Sequence, residues 1–454
     1  MTDDDATNAT KPDTRTSLQD RIADRSATVG LVGLGYVGLP LSVAFTEAGF
    51  EVRGFDIDEY RVEQLAAGDS YVDDVDDDRL REALESGFVP SSSPMNVAGC
   101  DVFIIAVPTG IDDGEPDMSA VEAAARTVAE RAPERESLVV VSSTVYPGAT
   151  REVVAPIVGT DRSQFAMVPE RINPGGEYAV EEIPLVVGAD TDAARDAAAE
   201  LFGAVVDRTH PVGSTETAEL ATTLENTSRM VNVALVNELI TLAEGLDADV
   251  WEAIDAAATK PFGFQPFRPG PGVGGHCIPV DPQFLTWRAE DLGRDISFID
   301  DAHRINEAMP TLVADRLGTL LRARGTDPDD ATVVALGAAY KPNVGDTRNS
   351  PALRVVEQLP PTADVTVVDP HTEPENVARK LLATPAEVEL EAADAVVLLV
   401  DHDAFDLREI GERAEFVFDT RNAMPDGVTA DVVTLGELTD GPAKRRRPVA
   451  EPRR

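Results

Sequence analysis

Apolar and polar positions along this chain fall into two different rhythms. Thr28–Val32 is a short apolar run bounded by glycine, the pattern of a strand buried on both faces. A helical stretch over Val37–Ala48 follows and closes at Gly49, and the next strand is expected at Val52–Asp56. Asp101–Val107 and Leu138–Ser142 read as further buried strands, with an alanine-rich helix over Ala120–Arg131 between them. Such strand–helix alternation predicts a parallel sheet covered by helices on both faces. Past about residue 212 the strand signal fades. Thr215–Ala258 carries apolar residues such as Val231, Leu235 and Leu239 at helical spacing, which predicts a helical middle region. The first rhythm returns with strands at Thr332–Leu336, Val365–Asp369, Ala395–Val400 and Phe416–Asp419. The expected fold class is therefore α/β, two parallel-sheet domains joined by a helical middle domain.

Composition changes the picture in one respect. The 454 residues hold 82 acidic and 39 basic side chains, a formal net charge of −43. Phosphate would be repelled over most of such a surface, so nucleic acid is not expected as a partner. Lysine occurs only at Lys11, Lys260, Lys341, Lys380 and Lys444. An acid-rich, lysine-poor surface suits a salt-loaded cytoplasm, where screening relieves the self-repulsion of the compact state. Residues 1–25 read as a disordered acidic leader, and 441–454, with its run Lys444-Arg445-Arg446-Arg447, as a disordered basic tail. No apolar run reaches the roughly 20 residues of a membrane span, and the start of the chain lacks a secretory pattern. The two cysteines, Cys100 and Cys277, form neither a disulfide framework nor a zinc-ligand spacing, so no metal is expected and a reducing cytoplasm is.

Two segments carry chemistry. Gly33-Leu34-Gly35-Tyr36-Val37-Gly38 follows the first strand and opens a helix. In that context the first glycine permits a tight turn, the second a close backbone approach to a pyrophosphate, and the third close helix–strand packing. Asp56 ends the next strand, where a carboxylate bonds a ribose 2′-hydroxyl and repels a 2′-phosphate, so NAD is expected over NADP; Arg61 nearby is the one feature that would suit the phosphate. The second segment, Gly270-Pro271-Gly272-Val273-Gly274-Gly275-His276-Cys277, places four glycines within six residues, a loop suited to close approach of backbone to a ligand. A helix starting at Cys277 would favour its thiolate, and Asp281, four residues on, would then serve as base or water-positioning group. A thiolate adds to an aldehyde, and the adduct can lose hydride to give a thioester that water cleaves. Taken alone the loop leaves open whether Cys277 is that nucleophile or a small buried hydrophobe. Cys100 reads as structural.

With these segments the chain resembles the UDP-glucose/GDP-mannose dehydrogenase family over roughly residues 28 to 435. The resemblance rests on an ordered set: Gly33–Gly38, Val107-Pro108-Thr109, Ser143-Thr144-Val145, Pro169-Glu170-Arg171, Glu225-Asn226, Gly274–Asp281, and Tyr340-Lys341-Pro342 with Asp346-Thr347-Arg348-Asn349-Ser350-Pro351. It implies an NAD-binding Rossmann domain over 26–212, a helical dimerisation domain over 213–312 and a UDP-binding Rossmann-like domain over 313–440, in a homodimer or higher homo-oligomer. It assigns Gly33, Gly35, Tyr36, Val37, Gly38, Asp56, Arg61, Thr109, Thr144 and Arg348 to the cofactor side. It makes Cys277 the nucleophile, with Asp281, Glu170, Asn226 and position 222 in the catalytic set. It puts Arg171, Asn226, Arg229, Lys260, Gly274 and Lys341 on the substrate.

The run through His276-Cys277 to Asp281-Pro282, with Lys260-Pro261-Phe262-Gly263-Phe264 upstream, is similar to the branch acting on UDP-N-acetylhexosamines. The resemblance thus implies a 6-dehydrogenase that oxidises UDP-N-acetylglucosamine or UDP-N-acetylmannosamine to the uronate with two NAD, with the gluco epimer favoured and UDP-glucose the runner-up. His276, without a second ligand at useful spacing, goes to substrate shaping rather than to a metal. One position departs from the pattern. The family usually carries lysine four residues before Asn226, and this chain has Thr222. Loss of that charge removes on the order of 3 kcal/mol of transition-state stabilisation unless Lys260, Arg229 or a bound water replaces it. The reading from another class is a nucleotide-sugar-binding protein without catalysis.

Overall fold

The computed structural model describes residues 17–72, 74–171 and 182–437. The expected basic tail 441–454 and most of the leader lie outside them. Residues 17–25 correct the remainder of the leader. Leu18–Ala23 is a helix, α1, opened by a capping box in which Ser17 and Asp20 satisfy each other's backbone N–H. Leu18 and Ile22 on its inner face enter the first core, which is why this acidic stretch is ordered.

The chain divides into two compact units, residues up to Thr222 and residues from Thr223 on, with 111–115 grouped with the second. The first holds β1 (Thr28–Val32), β2 (Glu51–Phe55), β3 (Val89–Ser91), β4 (Val102–Ile105), β7 (Ser137–Val141), β8 (Ser163–Met167), β9 (Leu185–Ala189) and β10 (Thr209–Val212); a short ladder joins β5 (Gly110–Asp112) to β6 (Glu115–Asp117). Its sheet runs β10-β9-β8-β7-β4-β1-β2-β3, parallel except for the β8–β9 pair. The central strands β4 and β7 are buried at every position, as their unbroken apolar runs require between two helical layers. Strand order reverses on either side of β1, so a crevice opens at its carboxyl end, where α2 (Gly38–Glu47) begins. Expected and observed elements agree to within a residue or two at their ends; the strands after β7 were not legible.

The second unit contains the long helix α3 (Thr215–Gly245) from residue 223 on, α4 (Cys277–Asp291), α5 (Ser297–Ala323), and a six-stranded parallel sheet. That sheet comprises β11 (Thr332–Leu336), β12 (Asp364–Val368), β13 (Lys380–Leu382), β14 (Ala395–Leu398), β15 (Phe416–Asp419) and β16 (Asp431–Thr434). They lie in the order β13-β12-β11-β14-β15-β16, with the reversal beside β11. The fold is thus two Rossmann-like parallel-sheet regions with a helical middle. The expected border at 312/313 falls inside α5, and the reason is packing: Ile240, Met309, Val313 and Leu317 share one core with Val333, Ala335 and Val397 of the sheet. Among the described residues no helix is long and apolar enough to cross a membrane. Aspartate, so abundant here, is put to local use: Asp58, Asp76, Asp249 and Asp406 each cap a helix N-terminus.

The base of the glycine-rich loop is fixed by a buried chain of amides. Asn237 on α3 donates to Oδ1 of Asn306 on α5 at 3.0 Å and accepts the backbone N–H of Gly270 at 3.0 Å, while Asn306 donates to the Met230 carbonyl at 3.0 Å. Replacing Asn237 with leucine leaves the Gly270 N–H and the Asn306 carbonyl oxygen buried without partners. Asn237→Leu is expected to lower stability by about 2 kcal/mol in chemical denaturation at high salt; a midpoint equal to the parent's would show that these bonds carry no weight.

Candidate active site

In the first unit the turn after β1 is built around Asp56. Its Oδ2 accepts the N–H of Leu34 at 2.8 Å and its Oδ1 that of Asp58 at 2.9 Å, so the carboxylate braces the glycine turn. Gly38 has no room for a side chain: a Cβ there would lie 1.9 Å from the Gly33 carbonyl oxygen. Gly33 has φ +95°, a conformation side chains resist. Gly35, by contrast, has nothing within 4 Å, and the N-terminus of α2 has no side-chain cap at Val37. An open glycine beside an uncapped helix start is what a pyrophosphate needs, so these residues fit a dinucleotide. Tyr36 is half exposed at the same turn. Arg61 is engaged by Asp58 at 3.5 Å and lies over the Tyr71 ring. Thr109, just past β4, donates to the Thr144 carbonyl past β7 at 2.7 Å, which ties the two strand ends together. Glu170 accepts the N–H of Arg171 at 2.7 Å and lines an apolar recess with Pro40, Leu41, Ile183 and Leu185. Arg171 donates to the Pro184 carbonyl. Thr222 is buried.

In the second unit Cys277 is the first residue of α4. The glycine loop before it packs closely against protein. A Cβ on Gly274 would lie 2.7 Å from the Asn349 carbonyl oxygen and 2.7 Å from Pro351. Gly275 donates to the Arg348 carbonyl at 2.9 Å and accepts from the Asn349 side chain at 3.0 Å. The loop is thus laced to residues 340–351, which carry Lys341, Asp346 and Arg348. Arg348 pairs with Asp346 at 2.6 Å, and the Lys341 ammonium lies 5.6 Å from the Tyr340 ring centre. Lys260 is exposed, its ammonium over Phe262, and Arg229 is exposed on α3.

Electrostatics around the sulfur differ from the thiolate expected at a helix start. The Cys277 thiol is pushed up to about 12, by lost hydration first and then by the Asp281 carboxylate, against the pull of Arg348 and Lys341. The residue presents surface to solvent, yet protein flanks its sulfur, and the nearby carboxylate sets the same upward direction. The resting residue is a thiol. Asp281, one helical turn on and 1% exposed, is itself pushed up to about 7 by burial, opposed by a hydrogen bond from the Asn226 side chain. That bond reaches Oδ2 at 2.6 Å, while Oδ1 has no partner among the described residues. A buried carboxylate with one committed and one open oxygen, titrating near neutrality, is equipped for proton transfer. Sequence reading had given no role to Tyr340, whose ring lies 3.0 Å from where a Gly275 Cβ would stand, or to Asp346; both belong to a quoted motif, but only contact reveals their use.

Comparison with known proteins agrees with this geometry. Residues 27–206 match the NAD binding domain of the UDP-glucose/GDP-mannose dehydrogenase family, 216–308 its central domain and 334–426 its UDP binding domain. The chain belongs to the UDP-glucose/GDP-mannose dehydrogenase family. It is an NAD-dependent UDP-sugar dehydrogenase. The chain is 34% identical to a UDP-N-acetyl-D-glucosamine 6-dehydrogenase of Pseudomonas aeruginosa, over 87% of its own length and 96% of the relative's. It is also 34% identical to a UDP-N-acetyl-D-mannosamine dehydrogenase of Pyrococcus horikoshii, over 88% and 96%. A solved structure of a UDP-D-ManNAc dehydrogenase from Pyrococcus horikoshii superposes with a TM-score of 0.81 at 33% identity, covering 90% of this chain and 99% of that one.

The Asp281 carboxyl gives this dehydrogenase a testable pH signature. Folded, it keeps its proton to about pH 7, whereas an unfolded aspartate releases it near its usual 3.8. Its penalty on stability is therefore absent in acid, grows as pH rises between those values, and is complete above neutrality. Asp281→Asn is expected to match the parent at acid pH and to exceed it by about 4 kcal/mol above pH 7 in denaturation curves. Parallel pH profiles would show that Asp281 ionises freely in the folded chain.

Proposed function

We propose that this dehydrogenase oxidises the C6 hydroxymethyl group of a UDP-N-acetylhexosamine to the carboxylate in two successive two-electron steps, with Cys277 as nucleophile. The observation that carries the reading is Cys277 at the start of α4 with the half-open Asp281 carboxylate one turn behind it. Two NAD, bound in succession, would supply the hydride acceptors for the two oxidations. Gly33, Gly35, Tyr36, Val37, Gly38, Asp56, Arg61, Thr109 and Thr144 would hold them, and the family resemblance assigns Arg348 to the cofactor as well. In the first oxidation C6 gives up a hydride while Asp281 takes the hydroxyl proton through a water at Oδ1, leaving an aldehyde. After Asp281 has released that proton to water, Cys277 adds through sulfur to the aldehyde, the thiol proton passing to the carbonyl oxygen as the carbon–sulfur bond forms; Asp281 then takes the adduct's hydroxyl proton. The adduct gives up the second hydride and becomes a thioester. Water activated by Asp281 breaks the carbon–sulfur bond, releasing the uronate and the thiol. Because the resting sulfur is protonated, deprotonation accompanies attack, with Lys341 and Arg348 favouring the anion. Glu170 and Asn226 position the reacting water and hydroxyl. Arg171, Arg229, Lys260, Gly274 and Lys341 hold the substrate, Gly274 through backbone alone.

Support for the N-acetylhexosamine comes from relatives of both epimeric specificities, equally similar to this chain; we favour the gluco epimer. Site of action is the cytoplasm of a salt-accumulating cell, as net charge −43 suggests, and the uronate product suits surface glycan synthesis. A nucleotide-sugar-binding role without turnover is the rival, favoured by Thr222, a buried hydroxyl where a catalytic cation is usual. With NAD in molar KCl, comparison of UDP-N-acetylglucosamine, UDP-N-acetylmannosamine, UDP-glucose and GDP-mannose should give two NADH per UDP-N-acetylhexosamine. Cys277→Ser should yield at most one and little uronate. Ligand-induced stabilisation with no NADH, restored to turnover by Thr222→Lys, would establish the rival instead.

The partner we propose is a second copy of the chain. Leu224, Leu235, Leu239 and Leu242 of α3 are exposed by 36% or more, and their spacing puts them on one stripe of the helix, with exposed Leu246 just past its end. An apolar stripe of this length on an otherwise acidic surface is buried by association. Leu239→Asp combined with Leu242→Asp should convert a dimer to a monomer in sedimentation at high salt; a parent that already sediments as a monomer refutes the assignment.

A further inference from the structure

The second unit encloses a histidine that the chemistry above does not use. His402 follows β14 at the carboxyl edge of the second sheet, and its side chain is 0% exposed. Both ring nitrogens are engaged. Nδ1 accepts the backbone N–H of Asn343 at 3.0 Å, and Nε2 lies 3.1 Å from Oδ2 of Asp369. A backbone amide only donates, so Nδ1 carries the lone pair and the proton sits on Nε2, facing the carboxylate. Asp369, the residue after β12, is a junction of its own. Its Oδ2 accepts from Ala338 at 2.7 Å and Ala339 at 3.1 Å, and its Oδ1 from His371 at 2.8 Å and Thr372 at 3.0 Å. Burial opposes its ionisation, but the bonds from His402 and from the amides outweigh burial and hold the carboxyl well below the usual range. The next residue adds to the grip. Asp403 accepts from the Asn343 side chain at 2.9 Å and donates its own N–H back to Asn343 Oδ1 at 2.9 Å. Asn343 itself is in a left-handed conformation, φ 61°, which a held side chain stabilises.

Ala338, Ala339 and Asn343 all belong to the loop between β11 and the helix Pro351–Gln358. The same loop carries Lys341, Asp346 and Arg348 and is laced to Gly274 and Gly275 before Cys277. One side of the loop therefore meets the glycines before Cys277, and the other is clamped by the His402, Asp369 and Asp403 cluster. His371, its ring centre 5.0 Å from that of His402, and Phe405, edge-on at 5.3 Å, fix the imidazole plane.

We propose that His402 is a positioning residue: as a neutral acceptor for the Asn343 N–H it holds the 337–350 loop in the form that sets Lys341 for nucleotide-sugar binding beside Cys277. This rests on the substrate role given above to Lys341. The test separates the two claims by reading binding and loop order without turnover, on the full chain in molar KCl with UDP itself as the probe. His402→Leu removes the acceptor, and His402→Asn puts an amide oxygen close to the place of Nδ1. The leucine variant is expected to bind UDP about tenfold more weakly, the effect of one buried N–H left unpaired. Its amide hydrogen exchange should quicken across 338–349. The asparagine variant should recover most of the UDP affinity. Equal UDP affinity in parent and leucine variant overturns the proposal, as does a failure of asparagine to recover more than leucine. Should the leucine variant not fold, the parent alone decides: slow exchange of the Asn343 amide supports the clamp, and exchange at the rate of open solvent overturns it.

Discussion

Between residue 274 and the backbone of Asn349 there is space for a hydrogen atom and nothing larger. The arrangement of the second unit's chemistry depends on that contact. It brings the loop ending at Cys277 against the loop carrying Lys341, Asp346 and Arg348, two segments about 70 residues apart in sequence, and the Gly275–Arg348 and Asn349–Gly275 bonds then fix their register. From the other end the amides of Asn237 and Asn306 hold Gly270. Cys277 therefore emerges from a loop restrained on both sides, and α4 starts in a set direction with Asp281 one turn along it.

Restraint of this kind decides the electrostatics. A free loop would leave the thiol hydrated and the helix start to favour its anion. Here the surrounding protein and the Asp281 carboxylate raise the thiol, and the same burial raises Asp281 to near neutrality. Two acids one helical turn apart are both kept protonated more than they would be in water. The large negative charge of the chain lies elsewhere: much of its aspartate caps helices or faces solvent, where salt screens it.

Much of this was legible in the residues. The glycine turn after β1, the buried runs of β4, β7, β11 and β14, the helical middle and the family motifs all appear where expected. Less was legible where the signal is weak or borrowed. Strands β8, β9 and β10 lie in a stretch without strong alternation, and α1 sits inside an acidic leader, where two apolar residues, Leu18 and Ile22, are enough to dock it. Helix α5 serves two regions through a single core.

The linear order of residues fixed the chemical inventory: which side chains exist, which segments turn, and which helix begins at a cysteine with an aspartate four positions later, since these follow from short-range sterics and periodicity. Burial is not a local property, so the order of residues left the protonation of that pair undecided. It equally left undecided that the glycines before Cys277 press on Tyr340 and Asn349, and that a histidine 59 residues from Asn343 holds its backbone. Those outcomes depend on which distant atoms displace water around a group, and only the folded arrangement supplies them.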